Sequence, residues 1–206
     1  MISLFIDTSL SNVSISILKD GKILSIINEN IPNEHSKYAT SYVKKALDLA
    51  KVDALDVEKI FVVNGPGSFT GVRIGVTIAK TYGYLINKGI IPVSSLKSLV
   101  LSCKHDFLVM SIIPANKSNY YVGIYNNKNT SVIDEMCVNK NQLLELIKQY
   151  NPYIISNESN IIGEYNVNKV NLDIEKIVDY YKDFDVVNYY AIVPNYLKLP
   201  SALESK

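Results

Sequence analysis

The spacing of apolar residues divides the start of the chain into three short strands. An apolar run over residues 2–6 stops at Asp7, and apolar and polar residues then alternate over residues 13–18. A further strand over residues 22–27 follows Asp20-Gly21, because both of these residues accept positive φ and favour a two-residue hairpin turn. The pattern therefore predicts that the chain opens with a β-meander.

Two helices with marked apolar faces are predicted next. Apolar residues at helical spacing indicate a helix over residues 37–51 with Ser36 as its N-cap, and a second over residues 69–86 with Gly89 as its stop. The buried strands that follow these helices are predicted at residues 59–64 and 90–93.

The second half of the chain shows a related order of elements. After a helix from Ser95 to about residue 103, strands are expected at residues 107–113, 120–125, 131–138, 153–156 and 168–172. Helices are expected through residue 147, with Asn139 as the N-cap, and over residues 174–182. This succession predicts an α/β fold of two lobes, each a mixed sheet flanked by helices. We expect an N-terminal lobe over residues 1–103 and a smaller, divergent C-terminal lobe over residues 104–206.

Composition narrows the class of protein. The chain has 206 residues, of which 48% are hydrophobic and 20% charged, as is typical of a globular protein. The net charge of +1 argues against the electrostatic footprint of a free-standing nucleic-acid binder. We expect a cytoplasmic protein with no signal peptide and no membrane span, since residues 1–7 lack a basic region and no run of 18 apolar residues occurs.

Metal and disulfide chemistry find little support in the sequence. The two cysteines, Cys103 and Cys137, lack the spacing of a zinc site, and free thiols in a reducing compartment are expected. Only two histidines occur, His35 and His105, whereas a metal site usually takes three or four protein ligands. We therefore expect no metal site and no catalytic residue.

The densest motif joins the strand at residues 59–64 to the following helix and reads Asn-Gly-Pro-Gly-Ser-Phe-Thr-Gly-Val-Arg-Ile-Gly over residues 64–75. A strand–helix junction of this kind is a natural anion site, because helical N–H groups point into the loop. The glycine spacing fits neither the Walker A loop nor the dinucleotide-binding loop. Two interpretations stay open, namely an anion site and a rigid turn with Ser68 as the helix N-cap.

The turn after the first strand carries Asp7 and Thr8. In actin-like ATPases a similar hairpin holds phosphate and Mg²⁺ with the help of glycine, but none occurs between Asp7 and Asn12. Aspartate and threonine at a strand end are commonly plain turn formers, and we favour that interpretation. The alternative function is an ATP-binding phosphotransferase or hydrolase that acts on its own, with Asp7 and the loop at 65–68 on phosphate.

Small residues recur every four positions on the helix over residues 69–86. Gly71, Gly75, Ala79 and Gly83 form a ridge on which another backbone can pack closely. A neighbouring face is apolar as well, so that the helix is apolar nearly all round. Burial within the chain and contact with a partner remain equally good explanations.

These motifs resemble those of the TsaB (also called YeaZ) family, the dimerisation subunits of the bacterial machinery that makes tRNA threonylcarbamoyladenosine (t6A). The resemblance is carried by Leu-Phe-Ile-Asp-Thr-Ser at residues 4–9, by His35-Ser36, by the stretch over residues 65–75, and by Ala79-Lys80 and residues 93–96. It is strong over residues 1–100 and weak over residues 104–190.

The resemblance implies an actin-like (ASKHA, ribonuclease H-like) fold and a non-catalytic scaffold. Such a subunit binds its paralogue TsaD, which transfers threonylcarbamoyl to N6 of adenosine 37 in ANN-decoding tRNAs, and the ATPase TsaE joins the larger assembly. The chain alone is expected to bind no cofactor, to meet tRNA only through the complex, and to be able to form a homodimer. The motif residues that carry over are Asp7, Thr8, Gly65, Pro66, Gly67, Ser68, Thr70, Gly71 and Arg73. The partner face implied on the two helices comprises Ala39, Tyr42, Val43, Ala46, Ile74, Ile78, Tyr82 and Leu85.

The chain departs from the family pattern in its second half. Where the family has Asp-Ala-Arg and then Glu-Val-Tyr, residues 114–121 match only at Ala115 and Tyr121. Near the end, residues 194–198 resemble the family's Pro-x-Tyr-Leu-Arg, with Lys198 in place of arginine.

Overall fold

The computed structural model describes residues 1–30, 35–116, 118–159, 161–163 and 165–197, without the side chains of residues 35–37. The chain forms two compact units. Unit 1 combines Met1–Ser94 with Ile174–Asn195, and unit 2 combines Ser95–Asp173 with the described residues from Tyr196 onward. The expected boundary lay between residues 103 and 104; in the structure, residues 95–103 belong to unit 2, and Ile174–Asn195, which returns to the first sheet, belongs to unit 1.

Unit 1 is built on a mixed sheet of five strands. These are β1 (Ile2–Asp7), β2 (Asn12–Lys19), β3 (Lys22–Asn30), β4 (Lys59–Gly65) and β5 (Ile90–Ser94). The order is β3-β2-β1-β4-β5, with β1 to β3 antiparallel and with β4 and β5 parallel to β1. Asp20 and Gly21 adopt φ values of 50° and 78° between β2 and β3, which confirms the predicted meander and its turn.

Two helices cover one face of this sheet. Helix α1 (His35–Ala50) and helix α2 (Phe69–Ile86) lie close to the predicted ranges. The stop of α2 is Asn87 rather than Gly89, since Asn87 takes the left-handed conformation (φ 52°) and its N–H bonds to the last turn of the helix. The Ser36 side chain predicted as the cap of α1 lies outside the described residues.

The face of α1 that meets the sheet is apolar and forms the core of unit 1 with β1, β2 and β4. Leu4 and Ile6 on β1 are fully buried there, as are Ile60 and Val62 on β4. The Ser25 hydroxyl on β3 donates to the carbonyl of Ala46 at 2.6 Å and so ties α1 to the sheet.

Unit 2 repeats the same sheet topology. Its helices are α3 (Ser95–Ser102) and α4 (Lys140–Tyr150), and its strands are β6 (Val109–Pro114), β7 (Asn119–Tyr125), β8 (Ser131–Asn139), β9 (Tyr153–Ser156) and β10 (Asn168–Lys169). The order β8-β7-β6-β9-β10 has the directions found in unit 1, with three antiparallel strands followed by two parallel ones. This repeated sheet is that of the ribonuclease H-like, actin-type fold, which confirms the predicted fold class.

The last helix, α5 (Ile174–Tyr181), belongs to unit 1. Lys22 on β3 forms an ion pair with Glu175 at 2.7 Å, and Glu175 also accepts the Ile23 N–H at 3.0 Å. Among the helices in the described part of the chain, none is both long and apolar enough to span a membrane.

Candidate functional site

The turn after β1 and the glycine-rich loop before α2, which sequence analysis treated as separate motifs, are in direct contact. The Thr8 hydroxyl donates to the Gly71 carbonyl at 2.6 Å, and the Ser68 N–H donates to the Ser9 carbonyl at 2.8 Å. Thr8 and Ser9 are fully buried. The two motifs therefore form one packed unit at the end of β1.

The glycines of the motif are required by this close approach. A Cβ atom would lie 2.4 Å from the Ser9 carbonyl oxygen at Gly67, 2.0 Å from the Thr8 carbonyl oxygen at Gly71, and 2.6 Å from the Thr8 hydroxyl oxygen at Gly75. Side chains do not tolerate such distances, and two of the three opposing atoms belong to backbone. The first half of the small-residue ridge on α2 thus packs against the chain's own turn.

Asp7 forms hydrogen bonds within its own turn. The side chain is only 2% exposed, and its Oδ1 atom accepts the Ser9 N–H at 2.8 Å and the Ser9 hydroxyl at 2.7 Å. This is the pattern of an aspartate that stabilises a turn by bonding to backbone two residues on. The geometry matches the turn interpretation that the sequence favoured.

Ser68 is the N-cap of α2, as in the rigid-turn interpretation of the motif. Its hydroxyl accepts the Gly71 N–H at 3.2 Å, and its carbonyl accepts the Val72 N–H at 2.9 Å. The preceding Gly65–Pro66 peptide bond is cis.

Gly65 packs closely against Asn195, a residue that the sequence analysis did not identify. Its φ of 119° suits glycine, and a Cβ there would lie 2.7 Å from the Asn195 carbonyl oxygen. The Asn195 N–H donates to the Asn64 carbonyl at 2.7 Å. The signal in the sequence was the Pro-x-Tyr-Leu pattern that begins at Pro194, but nothing in it pointed to the loop.

Thr70 and Arg73 lie on the exposed side of α2. The Arg73 guanidinium carbon stands 3.8 Å from the centre of the Phe69 ring, a cation–π arrangement on the first turn. Both residues border a groove of about 400 Å³ between the exposed sides of α1 and α2. Its lining consists of Thr40, Phe69, Thr70, Arg73, Ile74, Thr77 and Ile78.

The residues named for the partner face fall into two groups. Ala39, Tyr42, Val43 and Ala46 on α1 are buried in the core of unit 1. The four on α2 are accessible to different degrees, with Ile74, Ile78 and Tyr82 half-buried and Leu85 69% exposed. Only the α2 group therefore offers side chains on the surface of this chain.

Tyr82 is tied to the chain by its hydroxyl group. The hydroxyl donates to the Ala54 carbonyl at 2.9 Å. Burial raises the pKa of Tyr82 to about 12, and the charge of Asp53 adds to the effect. The ring thus presents a neutral surface.

The second half of the chain forms no metal centre in its described part. His105 contacts the Phe107 carbonyl through Nδ1 at 2.9 Å and the Asn129 side chain through Nε2 at 3.2 Å. Within the described ranges, no three residues of the types His, Cys, Asp and Glu are grouped to hold a metal. The side chain of His35 lies outside those ranges.

The family model and the related sequences that match this chain point to the same family. Residues 22–184 match the family model described as "TsaD: tRNA N6-adenosine threonylcarbamoyltransferase". The tRNA threonylcarbamoyladenosine biosynthesis protein TsaB of Bacillus subtilis is 34% identical over 154 residues, which cover 72% of this chain and 67% of that protein. TsaB of Buchnera aphidicola subsp. Schizaphis graminum is 30% identical over 63% of this chain and 62% of its own length. A tRNA N6-adenosine threonylcarbamoyltransferase of Dictyoglomus turgidum is 30% identical over 50% of this chain and 35% of the transferase.

Solved structures agree on the fold. YeaZ from Pseudomonas aeruginosa superposes with a TM-score of 0.77 at 21% identity, over 95% of this chain and 99% of that one. The chain thus spans nearly all of that structure, about two thirds of the TsaB sequences, and about a third of the transferase.

Proposed function

Because the chain belongs to the TsaB (YeaZ) family, paralogous to TsaD, we propose that it is a non-catalytic subunit that binds a TsaD-type transferase. In this role it supports threonylcarbamoyl transfer to N6 of adenosine 37 in ANN-decoding tRNAs. The transferase carries the chemistry, and this chain supplies a binding surface.

The observation that carries the proposal is the outer face of α2. Leu85 and Tyr84 are 69% and 58% exposed, and Ile74 and Ile78 line the groove beside them. Ile74, Ile78 and Leu85 recur at helical spacing on one side of α2, and apolar side chains left on the surface in this way support a protein–protein interaction site. The four predicted residues on α1 lie in the core of unit 1, where they hold α1 against the sheet.

The charge pattern of α2 supports a protein partner rather than tRNA at this face. The only charged residues on its 18 positions are Arg73 and Lys80, and the exposed positions between them include Thr77. Depletion of charge is typical of the centre of a protein interface. Contact with tRNA is therefore assigned to the complex as a whole.

The contacts of the motif residues support a structural role over nucleotide chemistry by the chain alone. Asp7 accepts two hydrogen bonds from Ser9, and the glycines are used for the approach of Thr8 and Ser9 to α2. In this proposal the motif shapes the start of α2 and thus the partner face. TsaE joins the resulting assembly, and the same exposed face allows a homodimer when the transferase is missing.

The proposal is tested by mixing the purified chain with the TsaD-type transferase of the same organism, with and without Mg-ATP. Size-exclusion chromatography with light scattering is expected to show a stable 1:1 species. Calorimetric titration of the chain alone with Mg-ATP is expected to show no binding. Separate elution of the two proteins would contradict the scaffold role, and stoichiometric nucleotide binding by the chain alone would favour an independent ATP-dependent enzyme.

A further inference from the structure

The segment over residues 186–195, here called the strap, returns to the sheet of unit 1 after α5. The Ile90 N–H donates to the Val187 carbonyl at 2.9 Å, and the Val187 N–H donates to the Ile90 carbonyl at 2.7 Å. Farther along, the Asn195 N–H donates to the Asn64 carbonyl at 2.7 Å. The strap is therefore bonded both to the start of β5 and to the end of β4.

The strap also contributes to the core and contacts the last turn of α2 and the end of β4. Ile192 is 3% exposed and belongs to the apolar cluster of unit 1. At the last turn of α2, a Cβ on Gly83 would lie 3.1 Å from the Tyr189 Cβ, and before the first turn a Cβ on Gly65 would lie 2.7 Å from the Asn195 carbonyl oxygen. Glycine at these two positions lets the strap approach the last turn of α2 and the end of β4 closely.

Aromatic rings join the strap to the exposed side of α2. The ring of Tyr84 lies 5.8 Å from that of Tyr189 in an edge-on arrangement and 6.2 Å from that of Tyr190. Tyr189 and Tyr190 are themselves 4.6 Å apart. Tyr84 is the neighbour of Leu85 on the proposed partner face, so the strap and this face share a boundary.

We propose that the strap positions the partner-binding face of α2, so that seating of the strap and binding of the partner favour each other. With the strap seated, the last turn of α2 and the strand end that leads into its N-terminal loop are fixed, and the outer face is presented in one orientation. Coupling of this kind is reciprocal, because a partner that binds the seated form better must also stabilise the seating. The inference rests on the proposed function, since it names what regulates the affinity of that face.

Asn64 is the positioning residue on which this coupling can be tested. Its carbonyl accepts the Asn195 N–H, and its side-chain amide donates to the Val193 carbonyl at 3.0 Å. Substitution to alanine removes only the second bond. The loss of one neutral hydrogen bond should shift the seating equilibrium roughly fivefold.

The experiment compares the wild-type chain with Asn64→Ala and with Asn64→Asp, which keeps the shape of the side chain but has no N–H to donate. Asn28→Ala is the matched control, because exposed Asn28 accepts one side-chain hydrogen bond, from Asn12, on a strand remote from the strap in the sheet order. The two readouts are amide hydrogen exchange at Val187 and Asn195 and the dissociation constant for the TsaD-type transferase.

We expect both Asn64 variants to raise the exchange rate of the strap amides roughly fivefold, and to raise the dissociation constant only by the smaller factor by which the seated fraction falls; Asn28→Ala should change neither. In the wild type, saturating transferase should slow exchange at Val187 and Asn195. Exchange at Val187 and Asn195 that is equally fast in the free and in the transferase-saturated wild type would overturn the coupling. Absence of binding by the wild type would instead refute the proposed function, so the two failures are distinguishable.

Discussion

The contact between Gly71 and the turn at Thr8 gives the sharpest test of the motif's role. Substituting alanine for a glycine inside a helix normally stabilises the helix by about 1 kcal/mol. In Gly71→Ala, however, the new Cβ would lie 2.0 Å from the Thr8 carbonyl oxygen and 3.3 Å from the Ser68 Cβ. The turn must therefore move away from α2, and by a larger distance than a tightly packed interior accommodates.

The cost of this movement can be set against the helical gain. Overpacking of a core costs about 1–3 kcal/mol, and each disrupted hydrogen bond costs about 1 kcal/mol. The bonds at risk are the one from the Thr8 hydroxyl to the Gly71 carbonyl and the one from the Ser68 N–H to the Ser9 carbonyl. After subtraction of the helical gain, Gly71→Ala is expected to lower the free energy of unfolding by about 2–4 kcal/mol.

The assay is urea unfolding followed by circular dichroism. Gly163→Ala is the matched control, because a Cβ at Gly163 meets no atom within 4 Å, and Thr77→Ala controls for helix propensity on the exposed side of α2. Both controls should stay within about 0.5 kcal/mol of the wild type. A Gly71→Ala variant as stable as these controls would refute the claim that the motif glycines serve the approach of the turn.

Three further substitutions test separate parts of the account. Asn139→Ala removes the capping box of α4, in which Asn139 and Gln142 exchange hydrogen bonds at 3.0 Å, and should cost about 1 kcal/mol in urea unfolding, whereas no loss would contradict the cap. Thr8→Val keeps the shape of the side chain but removes the hydroxyl that donates to the Gly71 carbonyl, and should cost about 1 kcal/mol in the same assay; a neutral result would show that the bond contributes nothing. The raised pKa of Tyr82 means that the folded chain holds this proton more tightly than the unfolded chain, so its contribution to stability is complete below pH 10 and is lost as the pH rises from 10 to about 12. Tyr82→Phe lacks this proton and should therefore lose less stability than the wild type between pH 10 and about 12. The measurement is the free energy of unfolding as a function of pH, and identical slopes for the two proteins would contradict the raised pKa.

Local signals in the sequence were sufficient for most secondary structure. The Asp20-Gly21 turn, the Ser68 cap and the Asn139 cap each depend on two to four neighbouring residues, and all three are present in the structure. The bounds of α2 follow from the same kind of signal, because Ser68 starts the helix and a left-handed residue ends it. Here the sequence favoured Gly89, whereas Asn87 adopts that conformation at lower cost than most side chains.

Long-range contacts were beyond the sequence. Asn195 meets Asn64 across more than a hundred residues, and no periodicity marks either residue as a partner of the other. The sequence is equally limited for the apolar face of α1. Periodicity shows that residues such as Tyr42 and Val43 share a face, but it does not show what covers that face. The structure places that face on the chain's own sheet.

The claim that the outer face of α2 binds a TsaD-type transferase is tested most directly by a charge placed at its most exposed apolar residue. Leu85→Asp changes a side chain that is 69% exposed and should leave the fold intact, and Leu24→Asp makes the same change at a 45% exposed leucine on β3. Titration against the immobilised transferase should show at least a roughly 100-fold weaker affinity for Leu85→Asp, since an unpaired carboxylate would be buried, and an unchanged affinity for Leu24→Asp. Equal affinities for wild type and Leu85→Asp would contradict the proposed interface.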